Sequence, residues 1–213
     1  MDDGRARDTG RLAVAVGAVA VGSAACLLTY FVVRGPFGTI NDIGNATTGV
    51  LSAALAWRLR GQVAGRAGDV AVGAAAVGAA ITVLGSALVV SGTTGFFLAG
   101  LVSSVGFAGI GAWLVVANRR FGGAAGLAPR LRSLGVVAGT LMAFGVLAVP
   151  GILLRLDDME TAPAWVWIAF LGWFGTFVVY PAWAIWMGSV EWRRAGGQRS
   201  VSSDEGVPTW TGG

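Results

Sequence analysis

"LAVAVGAVAVGSAACLLTYFVV", residues 12–33, holds no charged side chain over 22 consecutive positions. As a helix it would rise about 33 Å, enough to cross the roughly 30 Å hydrocarbon core of a bilayer. As an open strand it would leave backbone N–H and C=O groups unpaired in lipid, and it lacks the period-two alternation of a barrel strand. The stretch therefore reads as a membrane-spanning helix.

Working outward, five more apolar windows of spanning length follow, at residues 39–57, 70–90, 95–117, 133–156 and 164–187. Composition agrees with this count. Of 213 residues, 55% belong to the apolar set and 12% are charged, against roughly 25% charged in a soluble domain. Little is left to build an aqueous core. The expected fold is all-α: a polytopic membrane protein with six transmembrane helices in a bundle. Residues 1–11 form an N-terminal cytoplasmic segment, 12–195 the membrane domain and 196–213 a disordered cytoplasmic tail without apolar periodicity.

The basic residues orient the bundle. All 15 are arginine, and with the N-terminus inside, 13 of them fall on the cytoplasmic side, leaving Arg34 and Arg155 outside. This is the distribution of the positive-inside rule, with both termini cytoplasmic in the inner (plasma) membrane of a bacterium. The calculated pI near 10.5 thus reflects orientation, and no nucleic-acid partner is expected. The Arg- and Gly-rich connections near 58–69 and 118–132 would lie along the anionic inner leaflet. "GSAAC" at 22–26 has the small residues of a lipoprotein signal, but Ser23 stands where a large aliphatic residue belongs. The apolar run also continues to Val33, so an uncleaved helix is expected.

Polar residues inside such a chain need a reason. "GPFGTINDIGNATTG", 35–49, opens the second helix, where Asn41, Asn45, Thr48 and Ser52 recur at spacings of 4, 3 and 4 and so form one stripe. With Asp42 beside it, the stripe is read in two ways. It is either packing glue between helices, with Asn41 or Asp42 capping the helix and Arg34 pairing with Asp42, or the outer vestibule of a small transporter or channel. Ladders of small residues at Ala74, Gly78, Thr82 and Ser86, at Gly95, Ala99 and Ser103, and at Gly135, Gly139 and Ala143 mark helix-crossing surfaces. Pro150 and Pro181 are candidate helix kinks. Trp173 and Phe177 sit deep enough in the sixth helix to line an apolar pocket.

Several chemistries are excluded. Without His there is no Ser-His dyad or His-ligated metal, and without Lys no Schiff base or Walker-type lysine; the single Cys forms no redox pair. Asp157, Asp158 and Glu160 in "RLDDMETAP" offer hard oxygen ligands, but a solvated loop is their default role. No enzyme activity, metal or cofactor is expected. The leading reading is a non-catalytic structural or accessory membrane component, acting as a homo-oligomer or with a membrane-protein partner. The segments "GPFGTINDIGN" (35–45) and "GWFGTFVVYPAWAIWMG" (172–188) resemble stretches of small multi-pass bacterial membrane proteins of unknown function. The all-arginine, Ala-Gly-Val-rich usage resembles an actinobacterial proteome. That resemblance implies a multi-pass bacterial membrane protein and carries no activity with it.

Overall fold

The computed structural model describes residues 3–63, 65–120 and 128–204. Among these there is no strand. The helices are α1 (Asp3–Val33), α2 (Phe37–Leu59), α3 (Arg66–Val90), α4 (Phe96–Arg120), α5 (Pro129–Ala143), α6 (Val149–Leu153), α7 (Val166–Phe174) and α8 (Tyr180–Asp204). A 3₁₀ segment, Phe144–Ala148, joins α5 to α6, and a π segment, Gly175–Val179, joins α7 to α8, so each pair forms one continuous rod. Five rods are both long and apolar enough to cross a membrane. The sixth, α2, has 23 residues and is long enough, but it carries the polar stripe. Neighbours in sequence are neighbours in space, and α1 also packs along α8, so the rods close into a ring.

The burial pattern is that of a protein dissolved in lipid. Leu28, Val32, Val50, Val70, Val77 and Leu153 face outward, while Ser23, Asn41, Asp42, Asn45, Ser52, Thr82, Ser104, Asn118 and Thr176 are buried. Polar groups that are costly in hydrocarbon are turned inward and apolar ones outward, as a multi-pass membrane protein requires. The larger core cluster centres on Trp113, Trp183, Tyr180, Leu55 and Ile110, toward the arginine-rich end. The smaller one, around Phe97, Leu101 and Val166, lies toward the end that carries Arg34 and Arg155.

Small residues set how closely the rods approach. A Cβ added at Gly106 on α4 would collide with the Gly78 carbonyl and Thr82 on α3. One at Gly139 on α5 would stand 2.5 Å from the Gly111 carbonyl on α4. These are backbone-to-backbone contacts, made by van der Waals packing where lipid supplies no hydrophobic drive. Gly95 does not belong to its expected ladder. It precedes α4, and its N–H donates to the Asp157 carboxylate at 2.6 Å.

Three local expectations differ from what forms. First, α2 starts at Phe37 with Pro36 at the cap position and no side-chain cap, so neither Asn41 nor Asp42 is an N-cap. The cause is the preceding turn: Arg34 (φ 63°) and Gly35 (φ 72°) both adopt left-handed backbone, which ends α1 and brings Pro36, with its preset φ, to the helix entrance. Second, Arg34 does not pair with Asp42. Its guanidinium lies 5.6 Å from the Tyr30 ring centroid. Third, α8 runs to Asp204, nine residues into the segment 196–213 expected to be disordered. Once a helix is nucleated, each further residue adds a hydrogen bond at small entropic cost. Residues 205–213 of that tail, and residues 121–127 of the arginine-rich connection, lie outside the described residues.

Arg34 and Arg155, the two arginines set apart from the other 13, share one local role. Both have positive φ, 63° and 52°, and both terminate a helix in the left-handed conformation. The Arg34 N–H donates to Tyr30 O at 3.0 Å, and that of Leu156 donates back to Gly151 O at 3.0 Å, satisfying carbonyls at the helix end. A cation there also complements the negative end of the helix dipole.

Candidate functional site

The polar stripe of α2 faces the bundle interior along its whole length: Asn41, Asp42, Asn45, Thr48 and Ser52 are all buried. It divides into two parts with different surroundings.

In the half nearer Arg34, the Ser23 hydroxyl of α1 reaches across to α2. It lies 2.9 Å from Asn41 O, 3.0 Å from Asn41 Oδ1 and 3.1 Å from Asn45 Oδ1. Gly44 permits this approach, because a Cβ there would stand 2.8 Å from the Ser23 Cβ. Asp42 points elsewhere. Together with Asn41 and Asn45 it lines a cavity of about 20 Å³ bounded by Leu27, by Phe96, Gly100, Ser103, Ser104 and Phe107 of α4, and by Trp173, Thr176 and Phe177. That volume accommodates about one water molecule. Trp173 and Phe177 do line a pocket, but it is small and polar on one side. The Trp173 indole donates to Ser104 Oγ at 2.7 Å, which fixes the ring against the cavity wall.

The other half is closely packed. Ser52 Oγ lies 2.7 Å from Tyr180 Oη, and both residues are fully buried. Ser52 also donates to Thr48 O at 2.6 Å, whereas the Thr48 hydroxyl is buried without a hydrogen-bond partner. Tyr180 stacks on Trp183 with centroids 5.9 Å apart, and Trp183 donates to Asn118 Oδ1 at 3.2 Å. The Asn118 amide donates to Leu114 O, and its backbone carbonyl accepts from Arg132 Nε at 3.1 Å. The stripe therefore continues into a buried hydrogen-bonded and aromatic network among the described residues.

Both prolines sit beside departures from α geometry. Pro150 enters α6 just after the 3₁₀ segment, and Pro181 follows the π segment. A helical proline lacks an N–H and crowds the carbonyl four residues earlier, and a local change of winding relieves both problems. The π segment also places Thr176 on the cavity wall, where its hydroxyl donates to Gly172 O at 2.9 Å.

The acidic loop has structural work. Asp157 accepts from Gly95 N at 2.6 Å and Leu98 N at 3.1 Å, capping α4 from 59 and 62 residues away in sequence. Asp158 accepts from Glu160 N at 2.9 Å and from the Thr161 hydroxyl at 3.2 Å. No group of three or more His, Cys, Asp or Glu side chains placed to share a metal ion occurs among the described residues.

Compared with models of protein families, with curated proteins and with solved structures, the chain matches none. Its chemistry must be interpreted from its own residues. Several of them, Ser104 and Thr176 included, carry no signal in the sequence alone. Ser23 was weighed only as part of a cleavage motif, although two asparagines one helical turn apart at membrane depth demand a partner. Asn118 and Glu191, both buried, lie within two residues of an arginine, where a polar side chain ordinarily faces water.

Proposed function

We propose that this protein is a non-catalytic structural or accessory component of a bacterial plasma membrane, with both termini cytoplasmic and the α2 stripe serving as an interhelical tie. The observation that carries the reading is the Ser23 hydroxyl set against Asn41 and Asn45, within 3.1 Å of three acceptors. The closed Ser52–Tyr180 contact beneath it speaks against a continuous conduit. Arginine placement supports the orientation: Arg5, Arg11, Arg58, Arg60, Arg119, Arg120 and Arg132 belong to one end of the bundle, Arg34 and Arg155 to the other. At the arginine-rich end, Arg5, Arg58 and Arg60 line an open recess of about 640 Å³ together with Trp57, whose ring lies 4.4 Å from the Arg60 guanidinium. Basic side chains beside an exposed tryptophan suit the headgroup layer of the anionic inner leaflet.

Two measurements test the proposal. In a Cys26→Ser background, Gly61→Cys should be shielded from a membrane-impermeant maleimide in intact spheroplasts, and Thr93→Cys should be labelled; the reverse pattern overturns the orientation. Ser23→Ala and Asn45→Leu should each lower the thermal midpoint of the purified protein, and wild-type proteoliposomes should conduct no more sodium or potassium current than empty ones. Unchanged midpoints or a protein-dependent current would overturn the structural role.

A further inference from the structure

We infer that the cavity between α1, α2, α4 and the α7–π rod is a site for one small monovalent cation of the sodium class, with Asp42 as its charged ligand. This goes beyond the scaffold reading and stands without it.

Asp42 is only 6% exposed, and its carboxylate has no hydrogen-bond or ion-pair partner among the described residues. No basic side chain lines the cavity. A lone negative charge inside a membrane bundle is relieved either by a bound proton or by a compensating cation.

The other polar wall groups supply the oxygens a hard cation takes. Ser103 is buried and its hydroxyl is likewise unpartnered among the described residues. Thr176 uses its proton on Gly172 O, leaving oxygen lone pairs free. Asn41 and Asn45 present side-chain oxygens that share a single Ser23 proton, and that proton can serve only one acceptor fully at a time. These oxygens come from three different rods.

Size and charge narrow the occupant. A volume of about 20 Å³ admits a body the size of one water, which excludes organic ammonium groups and hydrated ions. A single carboxylate neutralises one positive charge, whereas a divalent ion would leave an uncompensated charge in the bundle. Packed side chains narrow the cavity on two sides. Phe96 lines the cavity with Tyr30 packed on it at 5.0 Å between centroids, and Ser52 with Tyr180 seals the other half of the stripe. The bound ion would tie α2 to α4 and to the π segment, whose change in winding delivers Thr176 to the site.

The test uses the full chain in detergent, unfolded thermally while sodium chloride replaces an equal concentration of N-methyl-D-glucamine chloride, whose cation is too large for the cavity. A ligand bound only by the folded state raises the midpoint by mass action. The expected result is a saturable rise with sodium that is lost in Asp42→Asn and kept in Asp158→Asn. If Asp42→Asn does not fold, equilibrium dialysis of the wild type with radioactive sodium decides: one ion per chain is expected, with weaker binding in Ser103→Ala. Equal midpoints in the two salts, a sodium effect that survives Asp42→Asn, or no bound sodium on dialysis would overturn the proposal. So would a midpoint that follows acidity and ignores sodium, since the site then takes a proton. None of these outcomes bears on membrane conductance, so failure here is distinguishable from failure of the scaffold reading.

Discussion

Removing the Ser52 hydroxyl should cost more than removing the Tyr180 hydroxyl it touches, although the two changes break the same contact. The oxygens are 2.7 Å apart and both residues are fully buried. Tyr180→Phe deletes one interhelical hydrogen bond and leaves Ser52 still donating to Thr48 O at 2.6 Å, so the expected loss is about 0.6 kcal/mol, the average for such bonds in a membrane bundle. Ser52→Ala strands the phenol in a site without water, and a buried unsatisfied group costs roughly 1–3 kcal/mol. The bond that Ser52→Ala removes from its own helix adds little, because i−4 back-bonding of serine is slightly destabilising. In the double variant nothing polar is stranded, so its cost should return to about that of Tyr180→Phe, a coupling of roughly 1–3 kcal/mol within the cycle, equal to the cost of Ser52→Ala alone. Unfolding titrations in mixed micelles provide the four free energies. A Ser52→Ala variant as stable as wild type would mean that water reaches Tyr180 and substitutes for the lost partner, and the stripe would then be a wet path. Additive losses would mean that the two hydroxyls do not hold one another.

Other outcomes follow from contacts elsewhere in the bundle. Asp157→Ala should destabilise by roughly 1–2 kcal/mol as the N-terminus of α4 loses its cap, with faster amide exchange at Gly95 and Leu98, while Asp157→Asn should cost less because an acceptor oxygen survives. Exchange unchanged at those two amides would refute the capping role. Gly106→Val places a side chain against the Gly78 carbonyl and Thr82 and should cost about 1–3 kcal/mol or prevent folding. Gly73→Ala, on the same helix pair but with nothing within 4 Å of the added carbon, should be neutral or stabilise by up to about 1 kcal/mol; equal thermal midpoints for the two variants would contradict the packing account.

The helices were legible because membrane solvation acts on every residue of a span. All six apolar windows contain or overlap an observed rod, and residues 12–33 lie wholly within α1. Helix ends were less so, since they depend on single residues. Arg34 in a left-handed conformation was not foreseeable, as arginine has no preference for it, and it moved the start of α2 ahead of both expected caps. The cap that Asp157 provides for α4 joins residues about sixty positions apart, which no local pattern reveals. The stripe from Asn41 to Ser52 was visible as a spacing, but its partners were not. Ser23 lies on a different rod, and Tyr180 follows a π segment that shifts the register of every residue after it. A reading based on 3.6 residues per turn cannot follow a face through such an insertion.

Closure of the ring through α1 and α8 also bears on how the molecule is made. Gly10 and Gly17 of α1 have as their intimate neighbours Gly188 and Pro181 of α8, separated by most of the polypeptide. Of the two, α1 is synthesised before α8 and therefore waits, with one flank uncovered, until α8 has left the ribosome. A contact of that sequence separation is late by necessity, and during the interval the open flank must be sheltered by lipid, by the insertion machinery or by a neighbouring copy.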